Sequence, residues 1–541
     1  MRTCYPRPDF ERKHWMGLNG AWRFAFDDED AGLSEGWASD VHKLDREITV
    51  TFPYQRERSG VHVTAHHEIL WYARDFELPA TMFAGGRVML RFGAVDWHCD
   101  VWVNGMHVCT HDGGYTPFSL DITHCLNPAH PLQTVTLRVC DSTRCDQPRG
   151  KQSWQEEPDR CWYTPCSGIW QSVWLECVPQ EHMETFTITP DLAKSAVHCA
   201  LTLNQRPKQP GMLDVEVLFQ GKRTALLQLE ISQAHTAFTV PIREEDYVDE
   251  VHYWTPETPN LYDVTLTYHA NAEQDVVQTY FGLRSIRVEG GKILLNNRPF
   301  YQRLLLHQGY YDGGLLTAVH DDDYRLDLQL IKSMGFNGIR MHQKVEDPLL
   351  YYWADKLGLV VWGELPSCYE FNTVAMERSL HMMQAFIARD FNHPSIICWV
   401  PFNESWGLRN IYDNPVQQQF ALGMYHLIKA LDASRLVSTN DGWEQVASDL
   451  CAIHDYARDA DALSEKWDDV SDLVSSYAHE RMIYADRFQY QGQPLFLSEF
   501  GGIAYTASAN DKDWGYSGIE TTEEGFLQRL MSLTKYVRAH T

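Results

Sequence analysis

Two apolar segments of the chain end in carboxylates. Residues 396–402 lead into Asn403 and Glu404, and residues 494–498 lead into Glu499, which a pair of glycines closely follows. If both segments are buried strands that end at one edge of a sheet, their carboxyl groups can face each other. Glycoside hydrolysis needs such a pair, because one carboxyl group protonates the leaving oxygen while the other supports or attacks the anomeric carbon. A single strand can end in Glu by chance, so the prediction depends on the pair.

Other polar or aromatic residues also stand near the ends of apolar segments. His342 and Tyr456 are candidates for binding hydroxyl groups or positioning a nucleophile, and a role in the core or at the rim fits each equally well. Trp514 is favoured as a surface on which a sugar ring stacks, whereas core packing is favoured for Trp399. Arg340 also ends an apolar segment. The remaining candidates are His307 and Glu364, for which a structural role is favoured, and Asp455 and Trp443.

The segments that carry the carboxylates belong to the chain after residue 285. Short apolar runs alternate there with helix-period segments at residues 321–334 and 347–357, as parallel strands and crossover helices require. These units predict a (β/α) barrel over residues 286–541, with catalytic residues at the C-terminal ends of its strands. Strands four and seven then lie nearly opposite each other. The seven predicted strands are residues 301–307, 336–342, 359–362, 395–400, 436–439, 451–456 and 494–499.

The first 285 residues alternate apolar and polar side chains instead. In residues 1–180, several short strands and the turn signal Asn104-Gly105 predict a β jelly-roll sandwich. Residues 181–285 continue the alternation over a length that suits an immunoglobulin-like β-sandwich. The chain is therefore expected to have three domains, with the barrel last.

The charge of the chain excludes some classes of partner. Lys and Arg number 46 against 73 Asp and Glu, which gives a net charge of −27 and argues against binding nucleic acid or anionic membranes.

The 13 cysteines contain no Cys-x-x-Cys pair, which indicates reduced thiols rather than a disulfide framework. No segment resembles a signal-peptide core or a membrane span, so a cytoplasmic location is expected.

Taken together, these motifs resemble glycoside hydrolase family 2, whose members combine a sugar-binding jelly roll, an immunoglobulin-like sandwich and a barrel in this order. The resemblance covers nearly the whole chain. In the first domain it rests on Leu18-Asn-Gly-Ala-Trp-Arg-Phe24, Gly114-Tyr-Thr-Pro-Phe-Ser-Leu-Asp121 and Tyr163-Thr-Pro-Cys-Ser-Gly-Ile-Trp-Gln171. In the barrel it rests on Gly335-Phe-Asn-Gly-Ile-Arg340, Asn392-His-Pro-Ser-Ile396, Asn403-Glu404 and Ser498-Glu499.

The resemblance implies a retaining exo-β-glycosidase without a cofactor, in which Glu404 is the general acid/base and Glu499 the nucleophile. It further implies that Arg340 hydrogen-bonds Glu499 and that Asn403 binds the sugar 2-hydroxyl. His342, Tyr456 and Trp514 complete the expected substrate-binding set. The expected partner is a small carbohydrate, with β-galactosides favoured and β-glucuronides next. Members of the family often assemble, which leaves a homo-oligomer open.

The chain departs from the family pattern at three places, and these departures lead to further expectations. Trp162 stands six positions before Gly168, where several members have an acidic residue that reaches the active site. Glu364-Leu-Pro-Ser367 replaces the Glu-Thr-His segment that supplies metal ligands in some β-galactosidases, so no catalytic metal is expected. No eighth strand follows the helical pattern at residues 523–540. The barrel is therefore expected to be incomplete, and the alternative is a non-catalytic carbohydrate-binding protein.

Overall fold

The computed structural model describes residues 3–79, 86–155, 157–242, 251–508 and 513–539. Antiparallel strands make up the first part of the chain, as its alternating pattern predicts. The first twelve are β1 (Trp15–Gly17), β2 (Gly20–Phe26), β3 (Arg46–Val50), β4 (Ile69–Glu77), β5 (Arg87–Phe92), β6 (Val95–Asp96), β7 (His98–Val103), β8 (Met106–Asp112), β9 (Phe118–Asp121), β10 (Leu132–Cys140), β11 (Gly168–Ile169) and β12 (Val173–Val178).

These strands form a sandwich. One sheet has the order β1-β12-β5-β9 and the other the order β3-β2-β4-β10-β7-β8. Side chains of both sheets, including Leu90 and Val101, meet in one buried cluster. The predicted hairpin is confirmed, because Asn104 and Gly105 join β7 to β8 with φ angles of 51° and 77°. Positive φ at both positions is what a tight two-residue hairpin turn of this hand requires.

A second antiparallel sandwich follows. Its sheets have the orders β13-β14-β17 and β16-β15-β18-β19, and residues such as Val215 and Leu266 fill the core between them. Apolar and polar positions alternate along β15, so that one face is buried and the other is partly exposed. The seven strands are β13 (Met183–Asp191), β14 (Ala196–Leu203), β15 (Gly211–Phe219), β16 (Lys222–Ile231), β17 (His235–Pro241), β18 (Tyr262–Ala270) and β19 (Glu273–Phe281).

The last part of the chain contains seven parallel strands at the predicted places. A small antiparallel sheet precedes them, formed by β20 (Ile286–Glu289), β21 (Lys292–Leu295) and β22 (Arg298–Pro299). The parallel strands are β23 (Leu304–His307), β24 (Gly338–Met341), β25 (Val360–Glu364), β26 (Ile396–Val400) continued by β27 (Phe402–Asn403), β28 (Leu436–Val437) continued by β29 (Asn440–Asp441), β30 (Cys451–Asp455) and β33 (Leu495–Phe500). From β24 to β30 these strands are buried at every position, which explains their apolar runs, whereas most positions of β23 and β33 are partly exposed.

The order of these strands follows the chain, as a (β/α) barrel requires, but the ring is not closed. Neighbouring strands pair in parallel from β23 to β28, β27 pairs with β29, and an isolated bridge from Gly442 to Ile453 leads to β30 and β33. Within the described residues no backbone pair joins β33 to β23. The structure therefore shows an open arrangement of seven strands, and the absence of an eighth strand stays a prediction.

Helices connect the parallel strands, and short side chains fix where they begin. Asp347 accepts a hydrogen bond from the backbone of Leu349, and Pro348 occupies the first position of α2, while Gly358 ends it in the left-handed region. The described helices are α1 (Asp321–Ser333), α2 (Pro348–Leu357), α3 (Thr373–Asp390), α4 (Pro415–Leu431), α5 (Ala460–Trp467), α6 (Val470–Val474) and α7 (Glu523–Ala539). Short strands in the late loops are β31 (Tyr477–Ala478), β32 (Arg481–Met482), β34 (Ala504–Tyr505) and β35 (Ile519–Glu520).

A buried carboxylate joins the second sandwich to the barrel. Asp355 on α2 accepts hydrogen bonds from the Tyr280 hydroxyl at 2.8 Å, from His393 Nδ1 at 2.6 Å and from the backbone of Ser395 at 2.8 Å. Burial alone would lower the pKa of His393, but the charge and hydrogen bond of Asp355 outweigh it and raise that pKa. The pair therefore contributes stability while His393 is protonated.

We expect Asp355→Ala to lower the free energy of unfolding by about 3–5 kcal/mol, because it leaves a buried cation unpaired. Because the pKa of His393 is raised in the folded state, this contribution is complete below the ordinary histidine pKa. It declines as the pH rises through the raised value. Urea denaturation at several pH values measures the effect, and Asp322→Ala, which breaks an exposed pair with Arg325, is the control. Equal losses in the two variants would contradict the prediction.

Two further predictions concern the whole chain. All 13 cysteines are free thiols, in agreement with the reduced state that their spacing indicates. Among the helices of the described ranges, none combines the length and apolar character that crossing a membrane requires. The predicted location in the cytoplasm stays a prediction.

Candidate active site

The two predicted catalytic carboxylates meet at the C-terminal edge of the parallel strands. Glu404 follows β27, and its backbone nitrogen donates to Asp441 at 2.9 Å. Glu499 lies near the end of β33 and is buried. One side-chain oxygen of Glu404 lies within 4.8 Å of one of Glu499. Carboxyl groups of retaining glycosidases are roughly 5 Å apart, whereas inverting enzymes separate them by about 6.5–9.5 Å. The spacing of these two oxygens is compatible with the closer type of pair.

Arg340 lies beneath the pair and is almost fully buried. Its Nη1 donates to Glu499 at 2.6 Å, its Nε to Glu364 at 2.8 Å and its Nη2 to the side-chain oxygen of Asn403 at 2.6 Å. Burial would lower the pKa of this guanidinium, but the carboxylates of Asp441, Glu364 and Glu499 outweigh that effect and raise it. Arg340 is therefore a permanent cation that contacts Glu499, as the resemblance implies.

Glu499 is held as an anion. Burial would raise its pKa, but His454, Arg340 and His342 together with a hydrogen bond from Tyr456 lower the pKa to about 2. The Tyr456 hydroxyl donates to Glu499 Oε2, while Arg340 contacts Oε1. A carboxylate that is ionised at neutral pH and has its lone pairs oriented by two donors is suited to attack an electrophilic carbon.

His454 bridges both carboxylates and is the main residue that the sequence analysis missed. Its Nδ1 lies 2.8 Å from Glu404 Oε1, and its Nε2 lies 2.8 Å from Asp441 and 3.3 Å from Glu499. Burial would lower its pKa, but Glu499, Asp441 and Glu404 outweigh it and raise the pKa to about 10. The ring is thus an imidazolium that donates to Glu404 and lies between the two carboxyl groups.

A sequence signal for His454 exists, although it is indirect. The residue is a polar interruption of the apolar run of β30, one position before Asp455, which ends the strand. Successive side chains of a strand point to opposite sides, and along β30 the side that faces the carboxylates is the side of His454. Asp455, which does end the run, contacts Lys466 and Trp467 of α5 instead.

The remaining predicted residues lie at different depths. His342 Nδ1 is 3.1 Å from Glu364 and 4.0 Å from Glu499, so His342 and Glu364 form a buried layer under the site. Trp514 is 41% exposed and contacts the edge of Tyr516, whose ring stacks on Tyr456 at 4.5 Å. The rings of Tyr516 and Tyr456 therefore separate Trp514 from Glu499.

Three other predicted candidates pack or hydrogen-bond in the core of the fold. His307 hydrogen-bonds Asp327 of α1. Trp399 is fully buried, and its indole N–H donates to Asp432 at 2.9 Å, in agreement with the core role favoured for it. Trp443 is buried, and its ring lies 5.7 Å from that of His454, so it forms part of the wall behind the imidazole. None of the three contacts both carboxylates.

Glu404, His454 and Glu499 are also residue types that bind metal ions. Both nitrogens of His454, however, lie at hydrogen-bond distance from carboxylates, whose charges raise the pKa of the imidazole and favour its protonated form. A protonated imidazole has no lone pair for a metal. The arrangement is therefore that of a proton-sharing cluster, and the expected absence of a catalytic metal stays a prediction.

Replacing His454 with Asn should change the pH dependence of any reaction that uses Glu499. His454 is the largest favourable influence on the lowered pKa of Glu499, so its loss should move the acidic limb of kcat/KM upward by about 1–3 pH units. A pH–rate profile measures the shift. His479→Asn is the matched control, because that exposed ring contacts Tyr456 but is not hydrogen-bonded to either carboxylate in the described structure. An unchanged limb in His454→Asn would contradict this role.

Comparison with known proteins agrees with the arrangement of the domains. Three family models match: the sugar binding domain of glycosyl hydrolases family 2 over residues 15–179, a second domain of that family over residues 181–284, and its TIM barrel domain over residues 286–509.

Curated relatives and a solved structure were also found. The chain is 27% identical over 393 residues to a putative beta-glucuronidase of Formosa agariphila, covering 69% of this chain and 45% of that protein. It is 27% identical over 481 residues to a beta-galactosidase of Aeromonas hydrophila, covering 79% and 43%. The crystal structure of Ruminococcus gnavus beta-glucuronidase has a TM-score of 0.75 and 19% identity, and the match covers 98% of this chain and 90% of that one. The chain thus spans less than half the length of these two relatives.

Proposed function

The chain belongs to glycosyl hydrolases family 2, and we propose that it is a retaining exo-β-glycosidase that removes terminal β-linked sugars. The observation that carries the proposal is the separation of the two carboxylates, within 4.8 Å, with one of them held ionised. This distance leaves room for direct attack on the anomeric carbon but not for the water that an inverting mechanism places between its carboxyl groups.

In the first step, Glu499 attacks the anomeric carbon while the bond to the leaving oxygen breaks. Glu404 transfers a proton to that oxygen, and the carboxylate that remains is stabilised by the imidazolium of His454 at 2.8 Å. The product is a glycosyl ester of Glu499. In the second step, Glu404 removes a proton from water, the water oxygen attacks the anomeric carbon, and Glu499 leaves as the carboxylate.

Arg340 and Asn403 assist this reaction from the buried side of the site. Arg340 stabilises the negative charge of Glu499 before attack and after departure, since their atoms are 2.6 Å apart. Arg340 also donates to the side-chain oxygen of Asn403, which orients the Asn403 amide nitrogen as a donor. This amide is the group proposed to bind the sugar 2-hydroxyl, a contact that strengthens in the transition state. His342, Tyr456 and Trp514 complete the proposed sugar-binding set.

For the sugar, β-galactosides remain the first candidates and β-glucuronides the next. Similar proteins carry both names, which supports testing both classes side by side. The competing proposal, a non-catalytic carbohydrate-binding protein, is favoured by one observation, the open ring of seven parallel strands. Hydrolysis by the 541-residue chain itself separates the two proposals.

The test has two parts. A panel of p-nitrophenyl β-glycosides, including galactoside, glucuronide and mannoside, identifies the sugar that is hydrolysed. Proton NMR of the first product then reports its anomeric configuration, and we expect the β-anomer to form before mutarotation. Initial formation of the α-anomer would overturn the retaining mechanism, and binding of sugars without turnover on any substrate would favour the non-catalytic alternative.

A further inference from the structure

Four partly exposed aromatic side chains meet beside Glu404. The ring centroids of Trp162 and Tyr369 lie 5.3 Å and 5.2 Å from that of Trp406, and Trp154 packs against Tyr369 at 4.5 Å and against Trp162 at 5.2 Å. We call these four residues the aromatic wall. Its members come from the first sandwich domain, from the loop after β25 and from the segment after β27. No part of the mechanism above uses it.

The aromatic wall contacts the proposed acid/base residue directly. The indole N–H of Trp406 donates to Glu404 Oε2 at 3.2 Å, whereas Oε1 of the same carboxyl group contacts His454. The oxygen that faces His454 is thus on the side of Glu499, and the oxygen held by Trp406 is on the other side. Because Glu404 must contact the leaving oxygen, the wall borders the space into which the leaving group extends.

The wall is held in place by backbone contacts between two domains. The backbone nitrogens of Arg149 and Gly150 donate to Ser367 at 2.9 Å and 3.2 Å, and the nitrogen of Tyr369 donates to Cys145 at 2.8 Å. The Tyr369 hydroxyl also donates to the carbonyl of Gly150. These bonds fix the loop of the first domain against the loop after β25, so that the rings are positioned before any ligand arrives.

Core packing does not explain these rings. The tryptophans that fill cores in this protein, such as Trp22, Trp170 and Trp254, are less than 2% exposed, whereas all four wall residues keep part of their surface in solvent. The exposed faces of these rings suit flat, apolar groups of a ligand.

A cation lies at one end of the wall. The guanidinium carbon of Arg409 lies 4.0 Å from the ring centroid of Trp406. Nearby Arg481 is paired with Glu444 at 2.8 Å, but no carboxylate of the described residues lies within ion-pair distance of Arg409. Cations stacked on tryptophan keep their N–H groups at the edge of the guanidinium plane free to bind an anion.

We infer that the aromatic wall and Arg409 form a leaving-group subsite for an aromatic aglycone that carries an acidic substituent. The aglycone ring packs against the aromatic wall, and its acid group binds the guanidinium of Arg409. The inference rests on the proposed glycosidase activity, because it assigns the part of the substrate that Glu404 protonates. It adds a preference for one class of leaving group, whichever sugar occupies the other side.

The test compares leaving groups attached to the same sugar. In Trp162→Leu, kcat/KM for a 4-(carboxymethyl)phenyl β-glycoside should fall about five- to tenfold, as expected for loss of an aromatic contact. The corresponding β-glycosyl fluoride should be unaffected, because fluoride has no ring to bind. Trp37→Leu, at a partly exposed tryptophan of the same domain, is the matched control. Equal losses with both substrates would indicate a structural role for Trp162 and overturn the inference.

The role of Arg409 in binding the acid group is tested by changing the charge of the same substrate. The wild type should prefer the free acid to its methyl ester by about two- to fivefold, as for an exposed ion pair, and Arg409→Gln should lose this preference. The methylene group separates the charge from the phenolic oxygen, so both forms have similar leaving groups. If Arg409→Gln still preferred the free acid to the methyl ester, Arg409 would not be part of the subsite.

Failure of the proposed activity is distinguishable from failure of the subsite. If no glycoside is hydrolysed, 4-hydroxyphenylacetate can be titrated against the wild type while tryptophan fluorescence is followed. Saturable quenching that Trp162→Leu loses would support the subsite even without turnover. Quenching that is absent, or that is the same in both proteins, would overturn it.

Discussion

Glu499→Gln should lower kcat/KM for an aryl β-glycoside by at least about 10⁴-fold, because the variant has no anionic oxygen to attack the anomeric carbon. Glutamine keeps the size of the side chain and can still accept a hydrogen bond from Arg340, so the fold should persist. A 2-deoxy-2-fluoro glycosyl fluoride should label the wild type, and peptide mass spectrometry should place the added sugar on Glu499. The variant should remain unlabelled.

The control for this result is Glu377→Gln, which removes an exposed carboxylate from α3 and should leave activity unchanged. Circular dichroism and a melting curve establish that Glu499→Gln is folded. Activity above about one hundredth of the wild type in a folded Glu499→Gln protein, or a label on another residue, would assign the nucleophile elsewhere.

Glu404→Ala should produce a loss that depends on the leaving group. For an alkyl β-glycoside, whose leaving oxygen needs a proton, kcat/KM should fall by about 10²–10⁴-fold. For a 2,4-dinitrophenyl glycoside, which needs little proton transfer, formation of the glycosyl ester should change much less. Hydrolysis of that ester should still be slow, because no base activates the water.

Azide provides the decisive measurement for Glu404. A small anion can occupy the space left by the missing carboxyl group and attack the glycosyl ester without a base, so azide should accelerate turnover of the activated substrate. The product should be the β-glycosyl azide. The same acceleration in the wild type, or equal losses with both leaving groups, would contradict the acid/base role of Glu404.

The sequence predicts those parts of the site that lie at the ends of apolar strands. Glu404, Glu499 and Arg340 each lie at or near the end of an apolar run, and parallel strands bring such ends to one edge. The same rule selects Asp455, which contacts Lys466 instead, and passes over His454, one residue earlier. Adjacent side chains of a strand point to opposite sides, and a single sequence does not tell which side of this strand faces the site.

Contacts between distant segments are equally hidden from the sequence. Trp162 and Trp406 are 244 positions apart in the chain, and only the docking of the first domain onto the barrel brings their rings together. The positions of all seven parallel strands could be predicted, because each is a continuous apolar run. Whether the ring closes depends on hydrogen bonds between its first and last strands, which local patterns do not determine.

The docked loop of the first domain makes substrate choice separable from catalysis. Arg149, Gly150 and Cys145 attach this loop to the barrel through backbone atoms, and only a glycine fits at position 150, because a Cβ there would lie 2.2 Å from the backbone oxygen of Gln343. The partly exposed positions of the loop, such as Trp154 and Trp162, can therefore be substituted without disturbing the buried charges around Arg340. Divergence within such enzymes can proceed by changing the residues near Trp162, which alters the accepted aglycone while the chemical steps stay the same.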